Sequence, residues 1–381
     1  MPRVLIVRGQ LATPWELRPW AELPERFDVS YLLTRSNEFD VASLPLRAER
    51  VTSLRDRLPK GRIASIVAGV AGERYLADAQ DAYAAADIVH AEELSFWFAA
   101  DAARRKQRHG YRLVQTVWET LPFLGAYRSR HARRYREQVL GATDLFLAAT
   151  ERAREALLLE GVPDERVLVC PPGIDVERFR RAPASPPAEP VVVSPGRLVW
   201  EKGHHDVLRA VALLDRRGVR ARVRIVGRGP EEERLRAYAD ELGLGERVEI
   251  GPVGYDEMPA VFASASCMVL ASLPSATAQL HPFDRPRAFW EEQFGMVLIE
   301  AMAAGIEILA AESGAIPEVL EGNGTLFAPG DWPSLARRLA EGPLRRPPGA
   351  RTAYPEQLVE RYSTGAMAGR LAQAYDRVLG D

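Results

Sequence analysis

The segment VVVSPGRLVWEKGHHDVLRA, residues 191–210, joins a short apolar run to a helical pattern through a glycine-containing loop. The apolar run does not alternate with polar residues, which is typical of a parallel strand covered on both faces. Arg197 follows Gly196 directly, and Lys202 stands just before the predicted helix. Two cations on such a loop, beside a helix N-terminus, favour a diphosphate ligand. The alternative is that both are solvated surface charges.

Apolar runs and helical patterns alternate along the rest of the chain. The runs predict strands of a first sheet at 3–7, 112–117 and 145–150, and strands of a second at 190–196, 221–227, 248–253, 267–273 and 306–312. The patterns between them predict helices, among others at 203–218, 230–243 and 295–304. This alternation implies doubly wound α/β units, in which ligands bind at the carboxyl ends of the strands.

The proline-rich segment RRAPASPPAEP, residues 180–190, interrupts this alternation and is typical of a linker. A chain of 381 residues is also long for one hydrophobic core and suits two. We therefore predict an N-terminal Rossmann-like domain at 1–179, a second one at 191–353, and a cleft enclosed by the two.

Composition narrows the function classes. The net charge of −2 gives no general attraction to nucleic acid. Cys170 and Cys267 form neither a metal spacing nor a disulfide framework, which suits a reducing, cytoplasmic compartment. No apolar stretch reaches the roughly 18 residues that a membrane-spanning helix needs. Since no metal-binding cluster and no Asp-x-Asp pair is found, we expect no metal and no other cofactor.

A second segment, WEEQFGMVLIEAMAAG at residues 290–305, places two carboxylates on either side of a glycine that opens a helix. Gly295 would let the backbone approach a ligand, and the free amides at the helix start favour phosphate. The two oxygens of Glu300 suit a pair of vicinal hydroxyls, as on a ribose. Glu292 could stabilise positive charge on a sugar as a glycosidic bond breaks. The alternative is two ordinary acids that flank a helix.

These elements resemble the retaining, nucleotide-sugar-dependent glycosyltransferases of family 4, which have the GT-B fold. The matching segments are GRLVWEKG at 196–203, the E-x7-E signature EQFGMVLIE at 292–300 followed by EAMAAG, and SGAIPEVLEGNGTLFAPGD at 313–331. They cover most of the second domain, whereas the first domain matches more loosely. The resemblance also implies that residues 354–381 hold a helix that crosses back to the N-terminal domain.

The resemblance implies a role for each matching residue. Arg197 and Lys202 would hold the donor diphosphate and stabilise the leaving group. Glu300 would hold the ribose, and Glu292 would contact the donor sugar near its reacting carbon. The other donor-side positions would line the sugar and phosphate subsite through their backbone (Phe294, Gly295, Met296 and Val297), flank the base (Pro252 and Val253), or bring backbone close to the donor at strand ends (Gly9, from the other domain, and Gly196).

Two departures from the family pattern affect the acceptor side. After the strand RLVQTV, where many relatives carry a histidine, this chain has Trp118 and Glu119. Glu119 would take the polar, catalytic role, or Trp118 would stack on a sugar face, or Trp118 would only close the cleft wall. The segment PSATAQLHPFDRPRAF, residues 274–289, is longer than the usual link and is either a lid or acceptor loop, or a plain surface insertion.

Two further features are candidates for partner contacts. His90 ends the predicted strand in DIVHAEE, so it either binds the acceptor or is a satisfied buried histidine. A basic cluster within residues 101–137 is either a solvated helix face or a surface for peripheral contact with the inner face of a membrane.

The sequence thus predicts a retaining, hexosyl or related glycosyltransferase. It would move a sugar from a nucleotide diphosphate sugar to a hydroxyl of a glycan, lipid-linked or small-molecule acceptor. In a front-face mechanism the leaving phosphate itself would accept the acceptor proton. A GT-B nucleotide-sugar epimerase and a non-catalytic donor-binding relative are the alternatives.

Overall fold

A computed structural model describes residues 1–10, 12–37, 39–58, 74–124, 130–182, 186–274 and 290–380. The chain divides into two compact units. The first unit consists of Met1–Ile174 together with Ser363–Asp381, and the second consists of Asp175–Tyr362. The change of unit therefore falls at Asp175, before the proline-rich segment at 180–190 that sequence analysis predicts as the linker.

The first unit is built on a seven-stranded sheet of order β3-β2-β1-β4-β5-β6-β7, in which every pairing is parallel. Its strands are β1 Arg3–Gly9, β2 Asp28–Thr34, β3 Arg47–Val51, β4 Ile88–Glu92, β5 Arg112–Val117, β6 Leu145–Ala148 and β7 Val167–Val169. Helices of this unit are α1 Pro14–Ala21, α2 Gln80–Ala85, α3 Trp97–His109, α4 Arg130–Ala142 and α5 Glu151–Leu159.

The second unit is built on a six-stranded sheet of order β10-β9-β8-β11-β12-β13, again parallel throughout. Its strands are β8 Val191–Pro195, β9 Arg222–Val226, β10 Val248–Gly251, β11 Cys267–Leu270, β12 Glu307–Ala311 and β13 Thr325–Phe327. Its helices are α6 Val176–Arg180, α7 His204–Asp215, α8 Glu232–Glu241, α9 Met258–Ala263, α10 Met296–Ala304, α11 Ile316–Leu320, α12 Trp332–Glu341 and α13 Glu356–Arg361.

The prediction of two doubly wound, parallel α/β units is confirmed. Among the predicted strands, β5 is buried throughout from Leu113 to Val117. Sequence analysis missed β2, β3, β7 and β13. In β2, Asp28 and Ser30 interrupt the apolar run. Strand β3 has the sequence RAERV and lies at the sheet edge, so it needs few apolar side chains. Strands β7 and β13 have only three residues each, which is too short for a periodic pattern.

The last helix, α14 Thr364–Leu379, packs on the first unit, as the resemblance implied. Ser363 caps it by accepting a hydrogen bond from the backbone N–H of Ala366 at 3.2 Å. Met367, Leu371 and Tyr375 recur at a spacing of four and are buried in the core below β1. Among the described helices, none combines the length and the apolar content of a membrane-crossing segment.

Each sheet has one place where the strand order reverses. In the first unit this switch point lies between β1 and β4, and in the second it lies between β8 and β11. In open α/β sheets, a crevice forms outside the carboxyl ends of the strands at such a point, and ligands bind there. The fold therefore marks one candidate crevice in each unit before any side chain is considered.

Candidate functional site

The switch point of the second unit is flanked by two loops that are hydrogen-bonded to each other. The loop 196–203 leaves the carboxyl end of β8, and residues 271–274 leave the carboxyl end of the neighbouring β11. The backbone N–H of Leu273 donates to the carbonyl of Glu201 at 2.8 Å. This bond holds the short 3-10 helix Trp200–Lys202 against the end of β11.

A buried ion pair lies between these loops. The carboxylate of Glu292 is 6 % exposed, and its Oε2 accepts hydrogen bonds from Lys202 Nζ and from Ser272 Oγ, each at 2.6 Å. The same ammonium lies 4.9 Å from the ring centroid of Trp290. Within the described part of the chain, Oε1 of Glu292 has no hydrogen-bond partner. The site thus presents a fixed carboxylate with one free acceptor oxygen and a lysine with unused donors.

The backbone of Glu292 is fixed by the segment that follows β12. The carbonyl of Glu292 accepts a hydrogen bond from the backbone N–H of Ala315 at 2.8 Å. Gly314 adopts a left-handed conformation with φ +55°, and a Cβ there would lie 2.0 Å from the carbonyl oxygen of Glu292. Only glycine permits this approach, which gives the motif at 313–331 a direct structural link to the E-x7-E segment.

Helix α10 begins beside this ion pair. Gly295 is its N-cap with φ +80°, and its carbonyl accepts from Leu298 N–H at 2.8 Å. The first amides of a helix have no partner within the helix, so an anion can use them. The side chain of Phe294 is buried and packs edge-to-face on Tyr362 at 5.5 Å, so only its backbone is available to a ligand. Met296 and Val297 are half-buried at the helix start.

Glu300 lies in the second turn of α10 and is 6 % exposed. Burial raises the pKa of its carboxyl to about 7, and the positive charge of Arg178 opposes this shift only in part. Arg178 Nη2 donates instead to the carbonyl of Tyr255 at 2.6 Å and to Asp256 Oδ1 at 2.9 Å. No hydrogen bond to the Glu300 carboxyl is present among the residues that the structure describes.

The remaining donor-side residues lie at the same edge of the second sheet. Arg197 is exposed, and in the described part of the chain its guanidinium takes part in no ion pair. A Cβ at Gly196 would lie 3.5 Å from the aliphatic stem of Lys202. Pro252 is exposed and Val253 half-buried, and both directly follow β10.

Two histidines at the start of α7, His204 and His205, contact the loop 196–203. His204 is buried, and its ring accepts or donates to Ser194 Oγ at 2.9 Å and to the carbonyl of Arg197 at 3.1 Å. Burial lowers the pKa of His204 to about 4, and it does the same for His205. Both rings are therefore neutral near pH 7 and add no charge to the site.

In the first unit, two predicted residues are buried structural groups. The backbone N–H of Gly9 donates to the hydroxyl of Tyr75 at 2.9 Å. His90 is fully buried, with Nδ1 2.7 Å from the Tyr375 hydroxyl and Nε2 2.7 Å from Thr116 Oγ1. Burial holds the pKa of His90 well below its usual range, so the ring is neutral. Its side chain has no exposed surface that could contact an acceptor.

Trp118 and Glu119 follow β5 and are half-buried. The indole Nε1 of Trp118 donates to Glu92 Oε1 at 2.5 Å, and its backbone N–H donates to Glu93 Oε1 at 2.8 Å. Glu119 Oε1 accepts from the backbone N–H groups of Thr120 and Leu121, each at 3.1 Å. Glu119 therefore closes the turn that follows the strand.

Sequence analysis missed Glu92 and its ion-pair partner Arg8, whose Nε lies 3.3 Å from Glu92 Oε2. Each is a charged residue at the end of an apolar strand, which was the available signal.

Two predicted features lie outside the described residues. They are the lid or insertion at 274–289, from residue 275 onward, and Arg128 of the basic cluster.

Comparison with known proteins identifies the class of protein to which this chain belongs. The model for glycosyl transferases group 1 matches residues 175–342, and the model for glycosyltransferase family 4 matches residues 21–178. Over nearly the whole chain, the structure resembles HepE from Anabaena in complex with UDP, with a TM-score of 0.72 at 18 % identity, covering 99 % of this chain and 100 % of that one. It also resembles sucrose-phosphate synthase from Thermosynechococcus elongatus, with a TM-score of 0.70 at 18 % identity and full coverage of both chains. The fold is GT-B.

Curated relatives agree with this class. The chain is 32 % identical over 208 residues to the putative colanic acid biosynthesis glycosyltransferase WcaL of Escherichia coli K12, covering 54 % of this chain and 48 % of the relative. It is 30 % identical over 227 residues to a GDP-mannose-dependent mannosyltransferase of Mycobacterium tuberculosis, covering 57 % of this chain and 54 % of that protein. The chain spans about half the length of the curated relatives it matches. It belongs to the group 1, family 4 glycosyltransferases.

The contact between Gly314 and Glu292 gives a first prediction. A Gly314→Ala variant forces the new methyl group into the Glu292 carbonyl and strains a left-handed residue, so we expect it to lower the free energy of unfolding by about 2 kcal/mol or more. Gly322→Ala is the matched control, because Gly322 has φ +80° but its Cβ would meet nothing within 4 Å. Urea denaturation of both variants measures the difference. Equal losses in the two would contradict a specific role for the Gly314 contact.

The raised pKa of Glu300 gives a second prediction. The folded state holds this proton more tightly than the unfolded state, so stability is lost as pH rises from about 4.5 to about 7. We expect Glu300→Gln to be more stable than the wild type at pH 8, by up to about 3 kcal/mol, and to lose most of that gain at pH 5. Thermal denaturation at both pH values measures this. A gain that does not change with pH would contradict the raised pKa.

Proposed function

We propose that this chain is a retaining glycosyltransferase that moves a sugar from a nucleoside diphosphate sugar to an acceptor hydroxyl. The observation that carries the proposal is the buried Lys202–Glu292 pair at the switch point of the second sheet, beside the start of α10. It combines a cation for a diphosphate, free helix amides and a fixed carboxylate within one crevice, which is the set of groups that this reaction needs.

The diphosphate would bind between the loop 196–203 and the start of α10. The exposed guanidinium of Arg197 is available for a bidentate contact with phosphate oxygens. Lys202 uses one donor on Glu292 and keeps two for phosphate. It would therefore bridge the carboxylate and the diphosphate, which otherwise repel each other. Glu300, in the second turn of α10, would accept hydrogen bonds from the two ribose hydroxyls.

The chemical step would take place on one face of the sugar. The bond from C1 to the diphosphate oxygen breaks, the acceptor oxygen bonds to C1 from the same side, and the acceptor proton passes to the departing phosphate oxygen. Arg197 and Lys202 stabilise the negative charge on the leaving group. Glu292, with its free Oε1, orients the donor sugar and stabilises the positive charge that develops on the ring. It is not required to act as a nucleophile.

We further propose that transfer needs no divalent ion. Arg197, Lys202 and the amides at the start of α10 together supply the positive charge that phosphate needs.

We place the enzyme in the cytoplasm, in keeping with two buried and unpaired cysteines. HepE was solved with UDP, and the mycobacterial relative is named for GDP-mannose, so both uridine and guanosine diphosphates are candidate donor nucleotides.

A thermal-shift screen against UDP, GDP, ADP and their common sugar conjugates tests the proposal. A ligand at about a hundred times its Kd adds roughly 2.7 kcal/mol to stability. We expect one nucleotide series to stand out, and Arg197→Ala to bind it about tenfold to a hundredfold less tightly because a charged contact with phosphate is lost. Arg217→Ala is the matched control, because this exposed arginine lies beyond the opposite end of α7.

The outcomes separate the proposal from its rivals. A flat screen would reject the donor site. Binding with no transfer to any acceptor favours a non-catalytic relative, and conversion of the donor without any acceptor favours an epimerase. Loss of transfer after treatment with EDTA, restored by Mg²⁺ or Mn²⁺, would reject a metal-free step. Proton NMR of the first product gives its anomeric configuration, and inversion would reject retention.

Helix α4 supports a further proposal about the acceptor side, namely peripheral contact with an anionic membrane. Arg130, Arg133 and Arg134 are exposed on this helix, and no ion pair of theirs is found in the described part of the chain. Basic residues near an anionic surface contribute about 1 kcal/mol each at low salt. Such a surface suits an acceptor that is anchored in lipid.

We expect the protein to bind vesicles that contain phosphatidylserine at low salt, and the double variant Arg133→Ser, Arg134→Ser to bind them about thirtyfold more weakly. Sedimentation of the vesicles measures this, with Arg216→Ser, Arg217→Ser as the variant of equal charge. The same weakening in both double variants would indicate attraction by net charge alone. No binding by the wild type would reject the membrane contact.

A further inference from the structure

The switch point of the first unit holds a second buried ion pair. Arg8 stands near the end of β1 and Glu92 ends the neighbouring β4, and these are the two strands between which the order reverses. Arg8 Nε lies 3.3 Å from Glu92 Oε2, and the two side chains are 4 % and 16 % exposed. A crevice at this position is where a parallel sheet binds its ligand.

Glu92 uses its other oxygen to hold a tryptophan. Oε1 accepts the indole N–H of Trp118 at 2.5 Å, which is a short, charge-assisted hydrogen bond. The next residue, Glu93, accepts the backbone N–H of Trp118 at 2.8 Å through its own Oε1. Glu93 adopts φ +63°, an unusual conformation for a residue other than glycine. Two successive carboxylates thus fix the ring and the backbone of one half-buried aromatic residue.

Arg8, the ion-pair partner of Glu92, contacts the core of the first unit. Its guanidinium lies over the ring of Trp20, 5.1 Å from the centroid, and Trp20 Nε1 donates to the Tyr375 hydroxyl at 2.7 Å. That hydroxyl is also 2.7 Å from His90 Nδ1. Trp118 is therefore at the end of a continuous chain of contacts that extends into the core beneath β1 and β4, and few of its members can move independently.

We propose that Glu92 is a positioning residue that holds the indole of Trp118 so that it receives the ring of a sugar acceptor. An indole combines a large apolar face with a polar edge, and a ring with an apolar face packs on it. Glu92 occupies the polar edge, so the orientation of the face is set before the acceptor arrives. The inference rests on the proposed glycosyltransferase function, because it assigns the acceptor class to the same reaction.

Binding of ring-shaped and open-chain probes tests this without the natural acceptor. The probes are the methyl glycosides of glucose, galactose and mannose, with sorbitol as an acyclic polyol, each titrated by ligand-observed NMR in the presence of the nucleoside diphosphate found by the donor screen, or of UDP if that screen is flat. We expect the wild type to bind at least one methyl glycoside in the millimolar range and to bind sorbitol at least about tenfold more weakly.

Three variants separate positioning from a structural role. Trp118→Phe keeps a ring and leaves the Arg8–Glu92 pair intact but removes the N–H, so we expect a Kd about tenfold higher for the glycoside. Glu92→Ala should have the same effect, and the double variant should be no worse than either single one, since both remove one contact. Because Glu92→Ala leaves Arg8 buried without its partner, Arg8→Met combined with Glu92→Leu is the alternative variant that preserves packing.

The internal control is the affinity for the nucleoside diphosphate, which we expect to be unchanged in all variants because it binds the second unit. The exposed Glu25→Ala serves as the matched control in the first unit. Equal binding of sorbitol and the glycosides by the wild type, or no binding of either, would overturn the inference. So would multiplied effects in the Glu92→Ala, Trp118→Phe double variant. If the donor screen is flat but a glycoside binds, the proposed donor site is rejected, whereas the proposed binding of a sugar ring to Trp118 is retained.

Discussion

The buried contact between Lys202 and Glu292 is the interaction on which the second unit's site depends. A carboxylate beside a diphosphate raises the energy of the complex unless a cation stands between them, and burying either charge alone is costly. The 2.6 Å contact between Lys202 and Glu292 places a cation beside the carboxylate and leaves neither charge buried alone. The hydroxyl of Ser272 supplies the additional hydrogen bond that a buried pair needs. The pair also joins two segments far apart in sequence, so the loop 196–203 and the segment before α10 cannot take up independent positions.

Close backbone approaches keep this pair in place. Gly203 lies so near β11 that a Cβ would be 1.9 Å from the carbonyl oxygen of Ala271, and Gly314 lies equally near the carbonyl of Glu292. These contacts fix the main chain at both ends of the ion pair, where a side chain would force the segments apart. The geometry of the contact between Lys202 and Glu292 therefore depends on two glycines, neither of which has a reactive side chain.

The amount that the sequence could predict differs between the units for a physical reason. In the second unit, strand, glycine, cations and helix are contiguous, and Glu292 and Glu300 lie before and within one helix. Local patterns therefore predicted the fold and proposed Arg197, Lys202, Glu292 and Glu300 as one site, of which the structure brings Lys202 and Glu292 into contact. In the first unit, Arg8 and Glu92 lie near the ends of β1 and β4, and Trp118 directly follows β5. They meet because β1, β4 and β5 are neighbours in the sheet. No local spacing reveals such a meeting. His90 illustrates the same limit, since its two hydrogen-bond partners come from β5 and from the last helix.

The two switch points have the same topology, but the side chains around them carry different charges. In the second unit the crevice offers cations and free amides, with one carboxylate compensated by a lysine, and this environment favours a negatively charged ligand. In the first unit the guanidinium of Arg8 at the crevice is already compensated by Glu92. Burial and the charge of Glu92 raise the pKa of a nearby carboxyl group, that of Glu16, to about 7. An environment that favours the protonated form of a carboxylic acid also disfavours an added phosphate. Since each sheet forms its crevice at the same place in the strand order, the ligand charge that each crevice favours depends on the side chains at the ends of the strands beside its switch point.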